Sequence, residues 1–557
     1  MTVFRTHAAL WTLAGLLSLS GLTGIAEPVH WGHYGFHTGE WGQSARVTLR
    51  HGVLGTAPRA GYAPPRPEDF SLHHPFLVFY PPIVASVAVL GDTVWAVRLP
   101  TLVITLLTAL LLGFTVNRYW DGATAVLATA VYCVCPMTTA FAHNPDTQPP
   151  AILGLLLAVS GYAAFITKPS RQNFLVVLLG FILALGSDWA AYLSVAMVSI
   201  HAGGRALWLW DRRPKWLAIP ADLWIGLSAT LIAILVIGSF LLYVHFHAQD
   251  GLGNTWGALT YRLSSDWGGF VRQQSRFVGG MYGGVLVTLA LLGLLRMGLR
   301  LLRGTPTARD IIPFSFVFGN VVWAFLFPQA ANIHVYRSMM LAVPVAIFAA
   351  ELTVDAGRMV AGWPRAPRIA PWVRPLPGLL LLGHTLWLGA TTLVESRRVG
   401  GTMYHGAAYD PEQIKMATAR YIHATTSRSA WILFHPALRH RREVLYNLDR
   451  THVWAPPVAR LLEGDIPPAA EVAWFDGEAL SRRDREALAS AFSVDQVDRY
   501  LIVRLDQQDS QGIPRPDRRF RFRTGETGWL ERWLQHPVLP KLVLEEVGPT
   551  DSAAVEP

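Results

Sequence analysis

The chain has 557 residues, of which 52% are hydrophobic and 15% are charged, and its formal net charge is +9. Soluble proteins carry about 25% charged residues, so this deficit indicates a chain largely buried in a membrane. The basic excess lies mostly in short loops between apolar runs, where it sets orientation, and this argues against nucleic acid as a partner. The two cysteines, Cys133 and Cys135, share one apolar run and resemble neither a disulfide framework nor a metal motif.

Eleven apolar runs are interpreted as membrane spans. The first, residues 8–26, follows Arg5 and is interpreted as an anchoring helix, and a signal peptide cleaved near Ala26 is the alternative. The other ten runs are residues 95–116, 123–141, 151–167, 174–187, 189–207, 217–243, 278–302, 311–327, 335–356 and 376–393.

The first long polar segment, residues 30–77, separates the first two spans. In its first half it contains a single carboxylate, Glu40, and along its length it carries five early histidines: His30, His33, His37, His51 and His74. Apolar and small residues at helical spacing predict a surface helix over residues 40–51, with Thr38 as its N-cap and Gly52 at its end. A second surface helix is predicted between His74 and Asp92, where two prolines make the apolar run too broken for a span.

The distribution of basic residues predicts the orientation of the chain. Basic clusters at 205–215, 296–309 and 358–374 lie on one side of the membrane with Arg5, whereas the turns 142–150 and 328–334 on the opposite side contain no Lys or Arg. The positive-inside rule therefore places the N-terminus in the cytoplasm and the first loop, residues 27–92, outside.

After residue 396 the composition becomes that of a soluble α/β domain, residues 397–557, which follows the membrane domain 1–396. Strands are predicted at 430–434, 471–475, 500–503 and 542–546, and helices at 411–424, 481–491 and 528–535. The domain has neither G-x-x-x-x-G-K-[ST] nor G-x-G-x-x-G, so no nucleotide site is expected. The fold class is thus an α-helical multi-pass membrane protein with a C-terminal α/β domain, which an odd number of spans places outside.

Three segments resemble those of the GT-C fold glycosyltransferases, in particular the lipid A aminoarabinose transferases and the protein O-mannosyltransferases. GFHTGEWGQSARVTLRHG is similar to the family's acidic first-loop motif and the AR-containing helix after it. HHPFL with LGDTVWAVRLPTL is similar to its HPPL…RLPS pattern, and NIHVYRSMMLAVP to its late H-x-YY…P segment. The resemblance extends over about residues 10–351 and implies a GT-C fold in a bacterial inner membrane.

The resemblance implies a glycosyltransferase that moves a hexosyl or pentosyl group from a polyprenyl-phosphate donor to an extracytoplasmic lipid, glycan or protein acceptor. The implied partners are that donor, the acceptor and membrane lipids, and the resemblance implies modification of lipopolysaccharide or another cell-envelope glycan at the periplasmic face. An inverting displacement requires a general base beside the acceptor hydroxyl, and positive charge or hydrogen-bond donors around the leaving phosphate.

The family's catalytic aspartate corresponds to His37 in this chain. Glu40, on the same helical face, is predicted as the base, with His37 assisting or replacing it. The alternative for Glu40 is an exposed carboxylate favoured by the helix dipole. His33, His37 and Glu40 also have the spacing of metal ligands, so a divalent metal is a secondary expectation, although Gly35 and Gly39 are expected to interrupt the helix. No other cofactor is expected.

Asp146 is predicted as a second acid, since it lies where the family has one. Donor-phosphate ligands are predicted at His74, Arg98, His334, Tyr336 and Arg337. Arginine suits phosphate because its planar fork donates two parallel hydrogen bonds. The alternatives are a solvated turn for Asp146, helix capping for His74, snorkelling for Arg98 and an interfacial belt for residues 334–337.

Two other functions remain open on the sequence. A transporter or flippase of a polyprenyl-linked lipid should have repeats or acids deep in its spans, whereas Glu351 and Asp355 lie near a span end and Asp188 lies in a tight turn. A catalytically inactive GT-C-like scaffold is the other, because His37 replaces the usual aspartate.

Overall fold

A computed structural model describes most of the chain. The residues it describes are 2–22, 25–26, 29, 33–52, 78–210, 221–247, 251–263, 267–304, 307–361, 374–398, 409–427, 429–438, 442–505, 518–525 and 541–546.

Contacts between residues divide the chain into two compact units. The helical unit comprises residues 1–23, 72–85 and 98–396, and the sheet unit comprises residues 24–71, 86–97 and 397–557. The described first-loop residues 33–52 and 86–92, which the sequence assigned to the membrane domain, are therefore grouped with C-terminal residues.

The helical unit is built almost entirely of α-helices. They are α1 (Thr2–Leu22), α4 (Val94–Tyr119), α5 (Gly122–Val134), α6 (Pro136–Phe141), α7 (Gln148–Thr167), α8 (Arg171–Leu185), α9 (Ala190–Trp210), α10 (Ala221–His247), α11 (Gly251–Leu263), α12 (Trp267–Leu302), α13 (Ile311–Leu326), α14 (Pro328–Ile333), α15 (Ala342–Ala361) and α16 (Leu376–Arg398). Helices α2 (His33–His51) and α3 (Tyr80–Leu90) come from the first loop.

Six of the described segments are long and apolar enough to cross a membrane, namely Val94–Tyr119, Gln148–Thr167, Asp222–Phe246, Trp267–Leu302, Ala308–Leu326 and Val335–Ala361. Shorter apolar helices cover Tyr80–Leu90, Gly122–Val134, Arg171–Leu185 and Leu376–Thr391. The chain is thus a multi-pass membrane protein, and the number of eleven spans stays a prediction.

Three predicted spans are less regular than the sequence suggested. In the run 278–302, Gly283 interrupts the helical backbone with φ +71° and ψ 158°. The run 123–141 divides into α5 and α6, because Cys135, which precedes Pro136, has extended backbone with ψ 134°. A residue before proline is sterically driven out of the helical region. The run 335–356 begins as a 3₁₀ segment, Val335–Leu341, before α15 starts.

The backbones of helices α7 and α8 approach each other closely at two glycines. A Cβ atom on Gly154 would lie 2.4 Å from the backbone nitrogen of Ala184, and one on Gly180 would lie 2.4 Å from that of Ala158. Small residues at such positions allow close approach of helices in a membrane. This packing brings the turn before α7 next to the turn after α8.

The sheet unit contains a seven-stranded mixed sheet with strand order β2-β1-β3-β5-β4-β6-β7. The strands are β1 (Trp431–Phe434), β2 (Thr451–Trp454), β3 (Ala470–Asp476), β4 (Ser493–Val497), β5 (Tyr500–Arg504), β6 (Arg518–Gly525) and β7 (Lys541–Glu546). Its described helices are α17 (Tyr409–Thr425), α18 (Arg442–Leu448), α19 (Val458–Leu462) and α20 (Arg482–Ala491). Strands β1, β2 and β3 are parallel, and β5 is antiparallel to both β3 and β4.

Alternate side chains of the sheet enter two apolar cores. Trp474 packs with residues of α17 and α18, such as Met416 and Val444, whereas its neighbour Phe475 packs with Leu461 and Leu488 of α19 and α20. This is the period of two that a strand imposes. Helices therefore cover both faces of the sheet.

The four strands predicted from the sequence are confirmed as β1, β3, β5 and β7, and the first two predicted helices as α17 and α20. The helix predicted at 528–535 lies outside the described residues. Strands β2, β4 and β6 were missed: β4 and β6 carry polar or charged residues at most positions, and β2 has only four residues.

Helix α2 confirms that the first predicted surface helix is helical, although it begins earlier than expected. It starts at His33 and runs through Gly35 and Gly39, so the expected interruption is wrong. Thr38 is fully buried inside the helix and is not its N-cap. Gly52 ends the helix as predicted, with φ +82° and its N–H donating to the carbonyl of Thr48 at 2.9 Å.

Candidate active site

The turn between α6 and α7 is buried. His143, Asn144 and Asp146 all lie in the interior, and Asp146 is 5% exposed. Prolines in the first turn of α7 suit a helix start, where a backbone N–H has no intrahelical acceptor. The Oδ1 atom of Asp146 accepts the backbone N–H of Thr147 at 2.6 Å. The alternative of a solvated turn aspartate is therefore wrong.

Asp188 lies in the turn between α8 and α9 and is 0% exposed. Its Oδ2 accepts from Nη1 of Arg337 at 2.5 Å and from the hydroxyl of Thr147. Its Oδ1 accepts the backbone N–H of Ala190 at 2.8 Å. A buried carboxylate is stable only with such partners. Asp146, Thr147, Asp188 and Arg337 together are called the acid–arginine cluster below.

Arg337, which is 6% exposed, comes from the 3₁₀ segment that precedes α15. Its guanidinium carbon lies 5.4 Å from the ring centre of Trp323 and 5.2 Å from that of Tyr336. Its backbone carbonyl accepts from the side-chain amide of Asn320 at 2.8 Å. Aromatic rings favour a cation within about 6 Å, so backbone, rings and Asp188 all fix this side chain.

Tyr336 lies with Arg337 in the 3₁₀ segment, and His334 directly precedes that segment. The two rings are 5.1 Å apart between centres, and the ring of Tyr336 lies 6.2 Å from that of Phe141 on α6. Tyr336 is buried, whereas His334 is half-buried. The 3₁₀ segment thus packs against the helix before the Asp146 turn.

A second arginine, Arg262 on α11, interacts electrostatically with members of the same cluster. Burial lowers the pKa of Arg262, and the positive charge of Arg337 lowers it further, while Asp188 and Tyr336 oppose the shift. Next to it, the hydroxyl of Tyr261 accepts from the amide of Gln329 at 3.0 Å. Helix α11 therefore adds a second positive charge near Asp188.

The cluster perturbs the protonation of Asp146. Burial raises the pKa of Asp146 to about 6, and the negative charge of Asp188 acts in the same direction. Arg337 and the hydrogen bonds from Thr147 oppose the rise. A carboxyl group with such a pKa exchanges its proton near neutral pH, which is a property of acid–base groups in active sites.

His37 and Glu40 lie on α2 in the sheet unit. His37 is buried and Glu40 is half-buried. Glu40 is therefore not fully exposed, contrary to the alternative of a carboxylate favoured only by the helix dipole. Trp41 and Ala45, on the same helix, are buried in the sheet unit. The two candidate base residues are thus on a packed helix whose position is fixed.

Arginines of α2 hold this helix to α18. Arg50 donates from Nη1 and Nη2 to the two carboxylate oxygens of Asp449 at 2.9 and 2.6 Å. Arg46 donates to the carbonyl of Tyr446 at 2.6 Å and lies 3.8 Å above that ring. Arg46 also contacts Asp92 at 2.6 Å, and this ion pair joins two of the segments that resemble the GT-C family.

The other predicted site residues are less well placed or lie outside the description. Arg98 on α4 is 1% exposed, so its side chain does not extend to an interface as the snorkelling alternative requires. His74 lies outside the described residues, as does the side chain of His33. Within the described part of the chain no three His, Cys, Asp or Glu side chains form a metal-ligand group, and the secondary expectation of a metal stays a prediction.

Asp188 and Arg262, besides Thr147, are candidate site residues that sequence reasoning did not assign. The sequence indicated Asp188 only through its location: it lies in a turn that the predicted orientation places on the same side of the membrane as the turns of Asp146 and His334. The signal for Arg262 was its position in the long segment before α12. Neither belongs to a short motif, so only the packing of helices brings them to Arg337.

The fold of this chain was compared with those of solved structures. The chain is a multi-pass membrane protein with a GT-C-like fold and a C-terminal sheet. It is similar to ArnT from Cupriavidus metallidurans bound to undecaprenyl phosphate, with 13% identity and a TM-score of 0.55 over 89% of this chain and 97% of that one. The apo state of the same ArnT gives 13% identity and a TM-score of 0.52 over 90% of this chain and 98% of that one.

The archaeal oligosaccharyltransferase AglB from Archaeoglobus fulgidus, in complex with an inhibitory peptide and a dolichol-phosphate, is more distant. It gives 10% identity and a TM-score of 0.47 over 88% of this chain and 72% of that one. No family model and no curated protein matches the sequence.

Proposed function

We propose that this protein is a membrane glycosyltransferase that moves a sugar from a polyprenyl-phosphate donor to an extracytoplasmic lipid, glycan or protein acceptor. The observation that carries the proposal is the buried acid–arginine cluster at helix ends of a GT-C-like fold. ArnT, which shares this fold, was crystallised with undecaprenyl phosphate, and the cluster offers charge of the kind such a ligand needs.

In the proposed reaction the acceptor hydroxyl attacks the anomeric carbon of the sugar. The new carbon–oxygen bond forms as the bond to the phosphate oxygen breaks, the phosphate leaves on the polyprenyl chain, and the hydroxyl proton passes to a base. Arginines stabilise the charge that develops on the leaving phosphate. No nucleotide enters the reaction.

Roles for the residues follow from their chemistry. Arg337 binds the donor phosphate, and Arg262, which interacts electrostatically with Arg337, adds positive charge. Asp146, with its raised pKa, is the second acid of the site. Glu40 is the proposed base for the acceptor hydroxyl, with His37 assisting or replacing it, because it is the half-buried carboxylate of α2.

The test uses the full chain in liposomes with a polyprenyl phosphate that carries a radiolabelled hexose or pentose. Label should pass to acceptors in an envelope extract, with release of polyprenyl phosphate. Glu40→Gln should lower the rate about a hundredfold or more, which is the usual contribution of a general base. Glu351→Gln is the matched control: it neutralises a buried acid paired with Arg309 at 3.4 Å and should leave transfer intact.

The alternatives correspond to different results of the same assay. Movement of the labelled lipid across the bilayer without transfer would overturn the proposal in favour of a transporter or flippase. Donor binding with neither transfer nor movement would favour an inactive scaffold. Equal loss in Glu40→Gln and Glu351→Gln would remove Glu40 from its proposed role.

A further inference from the structure

Asp188 is the point at which three separate segments of the helical unit meet. Its Oδ1 receives the N–H of Ala190 at the start of α9, at 2.8 Å. Its Oδ2 receives Nη1 of Arg337 from the 3₁₀ segment, at 2.5 Å, and the hydroxyl of Thr147 from the Asp146 turn. Each oxygen of a fully buried carboxylate is therefore used for a defined contact.

The hydroxyl of Thr147 stands between two carboxylates. Its distance to Oδ1 of Asp146 is 3.2 Å, and Oδ2 of Asp188 is nearer. A hydroxyl has one proton and donates to one acceptor at a time. The shorter contact assigns that proton to Asp188, and Asp146 then keeps the backbone N–H of Thr147 at 2.6 Å.

The charges around the two acids are not shared equally. Asp188 forms the direct ion pair with Arg337, whereas Asp146 interacts with Arg337 through longer-range electrostatics. Arg262 on α11 interacts electrostatically with Arg337 and Asp188, as Tyr336 does with Arg337 and Tyr192 with Asp188. Removal of the charge on Asp188 would leave Asp146 as the carboxylate next to Arg337.

We propose that Asp188 is a positioning residue of the site: it holds Arg337 in the orientation that binds the donor phosphate, and it prevents Arg337 from pairing with Asp146. That the bound phosphate belongs to a sugar donor rests on the proposed function, whereas the effect of Asp188 on Arg337 and Asp146 does not. Without Asp188, Arg337 pairs with Asp146. Arg337 is then no longer oriented to bind phosphate, and the raised proton affinity of Asp146 is lost at the same time.

The first test follows the proton directly and requires no catalysis. The full chain in nanodiscs is titrated by infrared spectroscopy, and the band of protonated Asp146 is assigned with Asp146→Asn. The midpoint of wild type should lie near 6. In Asp188→Asn it should move down by about one pH unit or more, because a nearby opposite charge lowers a carboxyl pKa by this order. An unchanged midpoint would overturn the proposal.

Asp222→Asn is the matched control. Asp222 is also a buried carboxylate paired with an arginine, Arg205, at 3.1 Å, but it interacts with Tyr162 and His201 instead of the acid–arginine cluster. Loss of one buried ion pair is common to both variants, so a purely structural effect should appear in both. The midpoint should move only in Asp188→Asn.

Breaking a buried pair can prevent folding, whereas exchange of both partners is often tolerated. If Asp188→Asn does not fold, Arg337→Gln is compared with the double variant Asp188→Asn/Arg337→Gln. The midpoint of Asp146 should rise above 6 in Arg337→Gln and return toward 6 in the double variant. Equal midpoints would show that Asp188 does not act on Asp146.

Binding of undecaprenyl phosphate to the protein in the same nanodiscs distinguishes failure of the proposed function from failure of the role proposed for Asp188. Asp188→Asn should weaken binding about tenfold or more, and Asp222→Asn should not. If wild type does not bind this lipid, the proposed function fails while the titration still decides the role of Asp188. If wild type and Asp188→Asn bind equally, Asp188 does not position Arg337.

Discussion

Asp146 shows how a single residue acquires a property that its type does not imply. An aspartate in water has a pKa of about 3.9, but burial raises the pKa of Asp146 to about 6, and Asp188 contributes. The unfolded chain therefore loses this proton at lower pH than the folded chain does. The stabilisation that the proton gives is complete below about pH 4 and is lost as the pH rises through 6.

The pH dependence of transfer should report this residue. If Asp146 acts as the anion, kcat/KM should rise as the pH passes through about 6 and reach a plateau above 7. Initial rates of transfer between pH 5 and 8 measure this limb. In Asp146→Asn the residual rate should not rise between pH 5 and 7. If the same rise near pH 6 persists in this variant, it belongs to another titrating group.

Replacement of Arg337 by lysine should weaken binding of the donor, although the positive charge is kept. Arg337→Lys keeps the positive charge but removes the planar fork and the contact over Trp323 and Tyr336. We expect an increase of about tenfold or more in KM for the polyprenyl-phosphate donor, measured by steady-state transfer. The exposed pair of Arg482 and Glu486 on α20 offers a control, since Arg482→Lys should leave KM unchanged.

At the scale of elements, helix packing decides which turns meet. Helices α7 and α8 approach at two glycines, and this contact places Thr147 beside Asp188. In the sheet unit, two arginines of α2 hold that helix to α18. The sequence motif Ala45-Arg46 therefore has a physical role, because Ala45 is fully buried and Arg46 contacts Tyr446 and Asp92.

Separation of α7 and α8 should damage the cluster without altering any of its residues. In Gly154→Val the new side chain would overlap the backbone of Ala184, since even a Cβ would lie 2.4 Å away. Overpacking costs typically 1–3 kcal/mol, and we expect a lower thermal midpoint and reduced donor binding. At Gly203 on α9 a Cβ meets no atom within 4 Å, so Gly203→Ala should change neither.

The contact of α2 with α18 should stabilise the sheet unit and depend on pH. Although burial opposes it, the guanidinium groups of Arg50 and Arg46 lower the pKa of Asp449. This stabilisation is therefore present above about pH 4 and is lost as the pH falls through the lowered pKa. Asp449→Asn should reduce protection of α2 from hydrogen exchange at pH 7, and equal protection in both proteins would contradict this.

At the scale of the whole molecule, the sequence predicts a cytoplasmic N-terminus and an extracytoplasmic C-terminal domain. Arg485 is an exposed residue on α20, whereas the native Cys133 and Cys135 are buried. In spheroplasts, Arg485→Cys should react with a membrane-impermeant thiol reagent, and wild type should give little background. Labelling only after lysis would place the domain in the cytoplasm and reverse the predicted orientation.

The sequence alone determined the class of this protein. Long apolar runs are not stable when exposed to water, and alternation of strand and helix patterns indicates an α/β domain, so the membrane region and the C-terminal domain were both predictable. The break before Pro136 and the start of α2 at His33 were not predicted. Short polar strands such as β4 carry too little apolar pattern to be recognised.

Only the tertiary structure decided which predicted site residues lie together. Asp146 and Arg337 are 191 positions apart, and Asp188 joins them because the glycines of α7 and α8 allow two backbones to touch. Burial, which no local pattern encodes, then raises the proton affinity of Asp146. A sequence specifies such contacts only through packing, and packing depends on every helix that takes part.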